Sequence, residues 1–170
     1  RNSSSYWGTM GCIYRFKSYA FGFTNYHVLF GETDSSIVIS DYVGSLTITQ
    51  NLNRTNNIIG VASNLFNSSL DYAAFVLQVP YDQVQSINMI SGILESYIYP
   101  QINMPLLKSG AKTGITYGII DGRSCINSSE LSIHIDTRYP NYSGIISDYG
   151  DSGSVWILND NTNIPKPVAL

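Results

Sequence analysis

The sequence predicts an all-β protein of small antiparallel barrel architecture. The chain is rich in residues that favour strands, with 13 tyrosines among 170 residues and many Ile, Val, Ser and Thr. Short apolar or alternating runs follow one another with frequent turn signals between them, which is typical of a small antiparallel barrel. The mass of 18.8 kDa is that of one compact unit, or of two small lobes that share a cleft.

Apolar and alternating runs predict the strands of a first β lobe in residues 1–80. They cover residues 6–16, 19–30, 36–49, 58–62 and 72–79, with a turn at Gly44 inside the third run. The second run carries His27 near its end. Asn67-Ser68-Ser69 predicts a turn, and Asp71 follows it at the head of a buried strand.

Residues 81–103 are predicted to connect the first lobe to a second one. Apolar residues in this stretch have a helical spacing that Gly92 weakens, so at most one short helix is expected. Strands are predicted again at 104–109, 113–121, 130–137 and 153–158. Residues 104–170 are therefore predicted to form the second β lobe, which contains Ser152.

Charge and hydropathy exclude several kinds of partner. The net charge of -3 and the pI near 5.1 argue against a surface for nucleic acid or for an anionic membrane. No run of about 18 apolar residues is present, so no membrane span is predicted. The chain begins with Arg1 rather than methionine, so a preceding segment is expected to have been removed or omitted. Secretion and an intracellular location both stay open.

The stretch Gly150-Asp151-Ser152-Gly153-Ser154 has the composition of a loop that presents a nucleophilic hydroxyl. Gly150 allows close approach of the backbone to a substrate, because it has no Cβ. The amides of Gly150 and Ser152 could then converge on a developing oxyanion. An ordinary tight hairpin is the alternative, since glycine and serine are common turn residues.

A serine nucleophile needs a base, and the chain has two histidines. His134 lies in an alternating run that places it on the polar face of a half-buried strand, whereas His27 ends an apolar run. His27 is therefore the better base. Asp71 heads a buried strand and is the expected carboxylate that orients the imidazole.

These motifs, taken together, resemble the chymotrypsin-like (trypsin-fold) serine peptidases. Thr-Asn-Tyr-His-Val at 24–28, Asp-Tyr-Ala-Ala at 71–74 and Gly-Asp-Ser-Gly at 150–153 occur in the family's order. Ser-Gly-Ala-Lys-Thr-Gly at 109–114 resembles the strand that opens the second barrel in the compact bacterial enzymes of the streptogrisin and α-lytic type. The four motifs span most of the chain.

The resemblance implies a fold of two antiparallel β-barrels and the activity of a serine endopeptidase. Ser152 would attack the scissile carbonyl, His27 would transfer the proton, and Asp71 would fix the imidazole tautomer. The amides of Gly150 and Ser152 would bind the oxyanion. The substrate would be a peptide or protein, and neither a metal nor an organic cofactor would be needed.

Asp151 is expected to need a cationic partner. The bacterial relatives have a basic residue just before the Ser-Gly-x-x-Thr-Gly strand, and here that position is Lys108. We therefore predict an Asp151–Lys108 pair that holds the oxyanion loop. The alternative is a solvated Lys108, with Asp151 bound by backbone amides.

The sequence departs from the family pattern in three places. Ser154 and Val155 follow the Gly-Asp-Ser-Gly motif at a place where the family usually has Gly-Pro. Val28 stands where the animal enzymes have a cysteine directly after the catalytic histidine. The chain stops at Leu170, before the strand that would form the wall of the primary specificity pocket. The second barrel is therefore expected to be incomplete, through a chosen boundary, clipping, or strands supplied by a second polypeptide.

Specificity and alternative functions follow from the same residues. Counting back from Ser152, the pocket base falls near 145–147, an apolar stretch that favours apolar or small side chains. A one-residue shift would instead bring Asp148 into the pocket and favour a cationic substrate side chain.

A catalytically silent binding or scaffold module of the same fold is the main alternative to a peptidase, and a processing protease that acts on one partner is another.

Cys12 and Cys125 are too few for a disulfide framework or a metal site. They are predicted to fall in different lobes, as two buried free thiols. A single bridge between the lobes is the alternative.

Overall fold

The computed structural model of the chain describes residues 7–31, 47–50, 57–79, 97–127, 130–136, 145–162 and 166–169. In these ranges the chain forms ten β-strands and one short helix, which confirms the all-β class. The strands are β1 (Cys12–Phe16), β2 (Tyr19–Thr24), β3 (Thr47–Gln50), β4 (Asn57–Asn67), β5 (Tyr72–Leu77), β6 (Pro105–Gly110), β7 (Gly114–Asn127), β8 (Glu130–Asp136), β9 (Trp156–Leu158) and β10 (Pro167–Ala169), and the helix is α1 (Tyr26–Phe30).

The strands form two five-stranded antiparallel sheets, each made from one continuous stretch of the chain. Sheet 1 has the strand order β1-β2-β5-β4-β3, and sheet 2 has the order β10-β9-β6-β7-β8. Within the described residues neither sheet closes on itself, since β1 and β3 end sheet 1 while β10 and β8 end sheet 2. The two antiparallel sheets are therefore established, and their closure into barrels stays a prediction.

One predicted strand is wrong at the point that matters for the site. The strand predicted at 19–30 ends at Thr24, and His27 lies instead in the first turn of α1. The Tyr26 ring packs against Phe30 one helical turn later, with 5.1 Å between the ring centroids. This aromatic contact at i, i+4 favours a helix in a run whose composition is that of a strand.

Two other strands are longer than the sequence predicts. β4 continues past residue 62 and β7 past residue 121, because each contains a register shift that bends the strand without ending it. The predicted turn at Gly44 and residues 81–96 of the predicted connection lie outside the described residues. No helix in the described ranges is long and apolar enough to cross a membrane.

Sheet 1 is built around Phe75, whose side chain is 1% exposed. Two glycines make room for its ring: a Cβ added at Gly22 would lie 2.4 Å from Cζ, and one at Gly60 would lie 2.7 Å from Cδ2. Ala73 and Ala74 beside it are fully buried. The first half of β5 is thus fixed in the core, and so is the position of the turn from which it starts.

The pairing of β2 with β5 assembles the edge at which the candidate site lies. The two strands are antiparallel, and Thr24 at the end of β2 pairs with Ala73 near the start of β5. Residues that follow β2 therefore lie beside residues that precede β5. This brings α1, with His27, next to the turn that contains Asp71.

Candidate active site

His27 and Asp71 form a hydrogen-bonded pair at this edge of sheet 1. The imidazole Nδ1 lies 2.8 Å from Oδ2 and 3.0 Å from Oδ1, and the His27 backbone N–H donates to Oδ1 at 3.0 Å. A carboxylate that accepts from Nδ1 holds the proton there and leaves Nε2 as the basic atom. The side chains are 42% and 43% exposed, so a substrate can reach the pair.

Asp71 adopts a left-handed backbone conformation, with a φ of 50°, which residues other than glycine seldom adopt. Its carbonyl accepts hydrogen bonds from the Asn25 side-chain amide at 2.7 Å and from the Tyr26 N–H at 3.1 Å. Three consecutive residues, 25 to 27, therefore bind Asp71. Asn25 is the N-cap residue of α1, yet its side chain makes no capping bond, because its amide is directed to Asp71.

Replacing Asn25 by alanine is expected to lower the free energy of unfolding by about 1 kcal/mol, because the Asp71 carbonyl loses a donor in a part-buried position. Denaturant unfolding measures the change. Asn67→Ala is the matched control, since the Asn67 side chain accepts from Leu70 in an exposed turn, and a loss of about 0.5 kcal/mol or less is expected there. Equal losses in the two variants would contradict a role of Asn25 in holding Asp71.

Ser152 lies in the loop of residues 148–153, which precedes β9, and two glycines shape that loop. Gly150 and Gly153 have φ of 105° and 93°, values at which a side chain is strained. A Cβ at Gly150 would lie 2.2 Å from the Trp7 ring, and one at Gly153 would lie 2.1 Å from the Thr9 carbonyl oxygen. The backbone of the loop requires both glycines, so on their own they are no sign of catalysis.

The Ser152 loop packs beside α1. A Cβ added to Gly8 would lie 2.6 Å from the Val28 side chain and 2.8 Å from the Ser152 carbonyl oxygen, so both flank this one glycine. Val28 directly follows His27, and the structure thus places all three predicted residues in one region. His27 and Asp71 are hydrogen-bonded, but the His27 imidazole and the Ser152 hydroxyl form no hydrogen bond with each other.

The amides of Gly150 and Ser152 are both available as donors. No described residue accepts a hydrogen bond from either N–H. The peptide groups around them are fixed, because the Asp151 N–H donates to the Asp148 carbonyl at 3.0 Å and the Asp151 carbonyl accepts from the Ser154 N–H at 2.9 Å. Unpaired amides in a fixed loop are one requirement of an oxyanion hole.

Asp151 anchors this loop in the interior, and its predicted ion pair with Lys108 is formed. The Lys108 Nζ lies 3.0 Å from Oδ2, and the two side chains are 3% and 0% exposed. The Thr113 hydroxyl donates to Oδ2 at 2.6 Å, and the N–H groups of Lys112 and Thr113 donate to Oδ1 at 2.9 and 3.1 Å. The alternative of a solvated Lys108 is therefore wrong, although backbone amides do contribute.

Burial raises the pKa of Asp151, but the donors outweigh it and hold the pKa at about 2, against an ordinary 3.8. From about pH 4 down to pH 2 the unfolded chain therefore binds more protons here than the folded one, and stability is expected to fall by about 2 kcal/mol across that window. Unfolding measured against pH tests this. In the double variant Lys108→Met/Asp151→Asn the site is neutral, so the free energy of unfolding should depend less on pH between about pH 4 and pH 2. An unchanged pH dependence would contradict its assignment to Asp151.

A second His–carboxylate pair, which the sequence did not predict, lies in sheet 2. The His134 Nδ1 on β8 is hydrogen-bonded to Oδ1 of Asp121 on β7. The His134 side chain is 76% exposed, which confirms its predicted place on a polar face. Among the described residues no group of three or more His, Cys, Asp or Glu is arranged to hold a metal ion.

The residues predicted to form the base of a specificity pocket lie just before the Ser152 loop. The Ile146 carbonyl accepts a hydrogen bond from the hydroxyl of Thr116 at 3.1 Å, which ties this segment to the start of β7. The remaining residues of the predicted base and its alternative are exposed: Ile145, Ser147 and Asp148. The preference for apolar side chains stays a prediction.

Cys12 is a free cysteine in β1, so the alternative of a bridge to Cys125 is excluded. Burial raises the pKa of its thiol to about 11. The thiol is therefore protonated at neutral pH and is a poor nucleophile. The side chain of Cys125 lies outside the described residues.

No protein-family model matches the sequence, and none of the curated proteins is significantly similar to it. The resemblance to serine peptidases therefore depends on the short motifs around His27, Asp71 and Ser152. What these residues do has to be argued from their geometry.

Proposed function

We propose that this chain is a serine peptidase that hydrolyses peptide bonds through His27, Asp71 and Ser152. The observation that carries the proposal is the His27–Asp71 pair, with Nδ1 bound by the carboxylate and the Ser152 loop packed beside α1. Acyl transfer by serine needs a base, a group that orients the base, and donors for the oxyanion. His27, Asp71 and the amides of the Ser152 loop supply one candidate for each.

The proposed reaction proceeds through an acyl-enzyme. The Ser152 Oγ attacks the carbonyl carbon of the substrate while the His27 Nε2 takes the hydroxyl proton, and the carbonyl oxygen becomes an oxyanion that accepts from the amides of Gly150 and Ser152. The C–N bond then breaks, and the imidazolium gives its proton to the leaving amine. A water molecule then attacks the acyl carbon as His27 takes its proton, the bond from this carbon to the Ser152 Oγ breaks, and the imidazolium returns the proton to Oγ.

The proposal requires that the Ser152 hydroxyl approach the His27 Nε2 when a substrate binds. The two side chains are not hydrogen-bonded in the structure, and such bonds are often long in a site without substrate. Ser152 is half-buried, and none of the described residues forms a hydrogen bond with its hydroxyl. A rotation about its Cα–Cβ bond therefore breaks no protein hydrogen bond.

We further propose that the two sheets belong to two β-barrels of the chymotrypsin-like fold. In support, each sheet comes from one continuous stretch of chain, and the candidate residues come from both stretches.

A catalytically silent binding module is the second candidate function. The observation that favours it is the missing hydrogen bond between His27 and Ser152. A silent module would keep the fold and the buried Asp151–Lys108 pair, since these serve the loop rather than the reaction.

Labelling with a fluorophosphonate probe, read by peptide mass, separates the two candidates. A peptidase is expected to be labelled at Ser152, because the probe forms a bond to an activated serine. The Ser152→Ala variant, folded to the same extent, is the control and should carry no label. A folded wild-type chain that remains unlabelled would overturn the peptidase and favour the silent module.

A further inference from the structure

Two buried hydroxyls outside the His27–Asp71–Ser152 set bind successive peptide groups of the Ser152 loop. The Thr9 Oγ1 donates to the Gly150 carbonyl at 2.8 Å, and the Ser154 Oγ donates to the Asp151 carbonyl at 2.5 Å. We propose that Thr9 and Ser154 are positioning residues that hold the amide donors of the oxyanion hole in place. This inference rests on the proposed function.

Thr9 connects the loop to two other parts of the fold. Its N–H donates to the Ser152 carbonyl at 2.8 Å, and its own carbonyl accepts from the Thr24 hydroxyl of β2 at 2.7 Å. Its hydroxyl, which donates to Gly150, also accepts from the Ala111 N–H in the turn after β6 at 2.8 Å. Thr9 is 4% exposed, so the Gly150 carbonyl cannot turn without breaking a buried network.

Ser154 fixes the next peptide group. The Asp151 carbonyl accepts from both the N–H of Ser154, at 2.9 Å, and its hydroxyl. The C=O and N–H of one trans peptide point in opposite directions, so this carbonyl sets the direction of the Ser152 N–H. The peptide that Thr9 holds lies between the two candidate donors, so the two hydroxyls together fix their relative orientation.

Without these hydrogen bonds the peptide groups of the Ser152 loop could rotate, and the amide donors of the oxyanion hole would lose their fixed orientation. Gly150 has a φ of 105° and no Cβ, so its neighbouring peptide groups can rotate more readily than at another residue. Donors that are already oriented need no rearrangement as the oxyanion forms. A displacement of about 1 Å can cost about 100-fold in rate. The loss should appear in kcat rather than KM, because the oxyanion exists only beyond the ground state.

The test compares three variants with a matched control. Thr9→Val keeps the shape and removes the hydroxyl, Thr9→Ser keeps the hydroxyl, and Ser154→Ala removes the other one. The control is Ser63→Ala: Ser63 is 6% exposed and donates to the Ala74 carbonyl at 2.8 Å, away from the loop. The measurements are kcat and KM for p-nitrophenyl acetate, the rate of reaction with a fluorophosphonate, and thermal unfolding, with Ser152→Ala as the background.

We expect Thr9→Val and Ser154→Ala each to lower kcat by about 10- to 100-fold at nearly constant KM. Thr9→Ser and Ser63→Ala should stay within about threefold of the wild type. Wild-type rates in all variants overturn the inference and leave the proposed function standing, as does an equal loss in Thr9→Ser and Thr9→Val. A wild-type chain that reacts with neither probe overturns the proposed function and the inference with it. If Thr9→Val does not fold, the result for Ser154→Ala decides whether the inference holds. That variant is expected to fold, because the Ser154 N–H still donates to the Asp151 carbonyl.

Discussion

The Asp71→Asn variant is expected to lose about 10⁴-fold in the rate of hydrolysis while keeping its fold. The Asp71 carboxylate accepts from both the backbone N–H and the Nδ1 of His27, at 2.8 to 3.0 Å. An asparagine can accept from the backbone N–H, but its NH₂ group then faces Nδ1, which must become the acceptor. The imidazole proton moves to Nε2, and that nitrogen can no longer take the proton of Ser152.

The matched control for this variant is Asp121→Asn. Asp121 is bound to a histidine Nδ1 as Asp71 is, but in sheet 2. We expect its rate of reaction with a fluorophosphonate to equal that of the wild type. A rate lost in Asp121→Asn and kept in Asp71→Asn would identify His134 as the base and overturn the assignment of His27.

The parts of the site that the sequence predicted are those with a local signal. His27, Asp71 and Ser152 each lie in a short string whose neighbours have the required composition. Lys108 precedes a Ser-Gly-x-x-Thr-Gly string, and its pairing with Asp151, 43 residues away, is formed. In each case a few adjacent residues were enough to identify the candidate.

The supporting residues have no such signal, because each acts on a partner far along the chain. The Asn25 amide reaches Asp71 over 46 positions, and the Thr9 hydroxyl reaches Gly150 over 141. Which asparagine or threonine makes such a bond depends on the pairing register of the strands. A single unaligned sequence shows the strands by their alternation and leaves the register open.

The fold, like the site, was predictable only where neighbouring residues carry a local signal. Alternation and turn residues predict antiparallel strands, and ten strands in two sheets are present in the described ranges. Closure into a barrel depends on bends and bulges, such as those in β4 and β7, which carry no distinct residue pattern here. The helix α1 was missed because an aromatic run of five residues has the composition of a strand and the spacing of a helix.

Replacing Lys108 by methionine is expected to lower the free energy of unfolding by about 3–5 kcal/mol, because it leaves the Asp151 carboxylate buried without its cation. Methionine has a similar length and can keep the contact with the Trp156 ring, over which the Lys108 Nζ lies at 5.7 Å. The loss is therefore electrostatic rather than a cavity effect. Urea unfolding at pH 7 measures it, and kcat measured well below the unfolding midpoint shows whether the loop still supports catalysis.

Two further variants test whether the loss of stability in Lys108→Met arises because the Lys108–Asp151 ion pair is buried. Lys166→Met breaks an ion pair with Asp160 that is partly open to solvent, and little change in stability is expected. Lys108→Met/Asp151→Asn removes both buried charges, and it should recover much of the lost stability because no uncompensated charge remains. If Lys108→Met alone keeps wild-type stability and kcat, then Thr113 and the amides of Lys112 and Thr113 suffice to hold Asp151. The ion pair would in that case have no part in fixing the Ser152 loop.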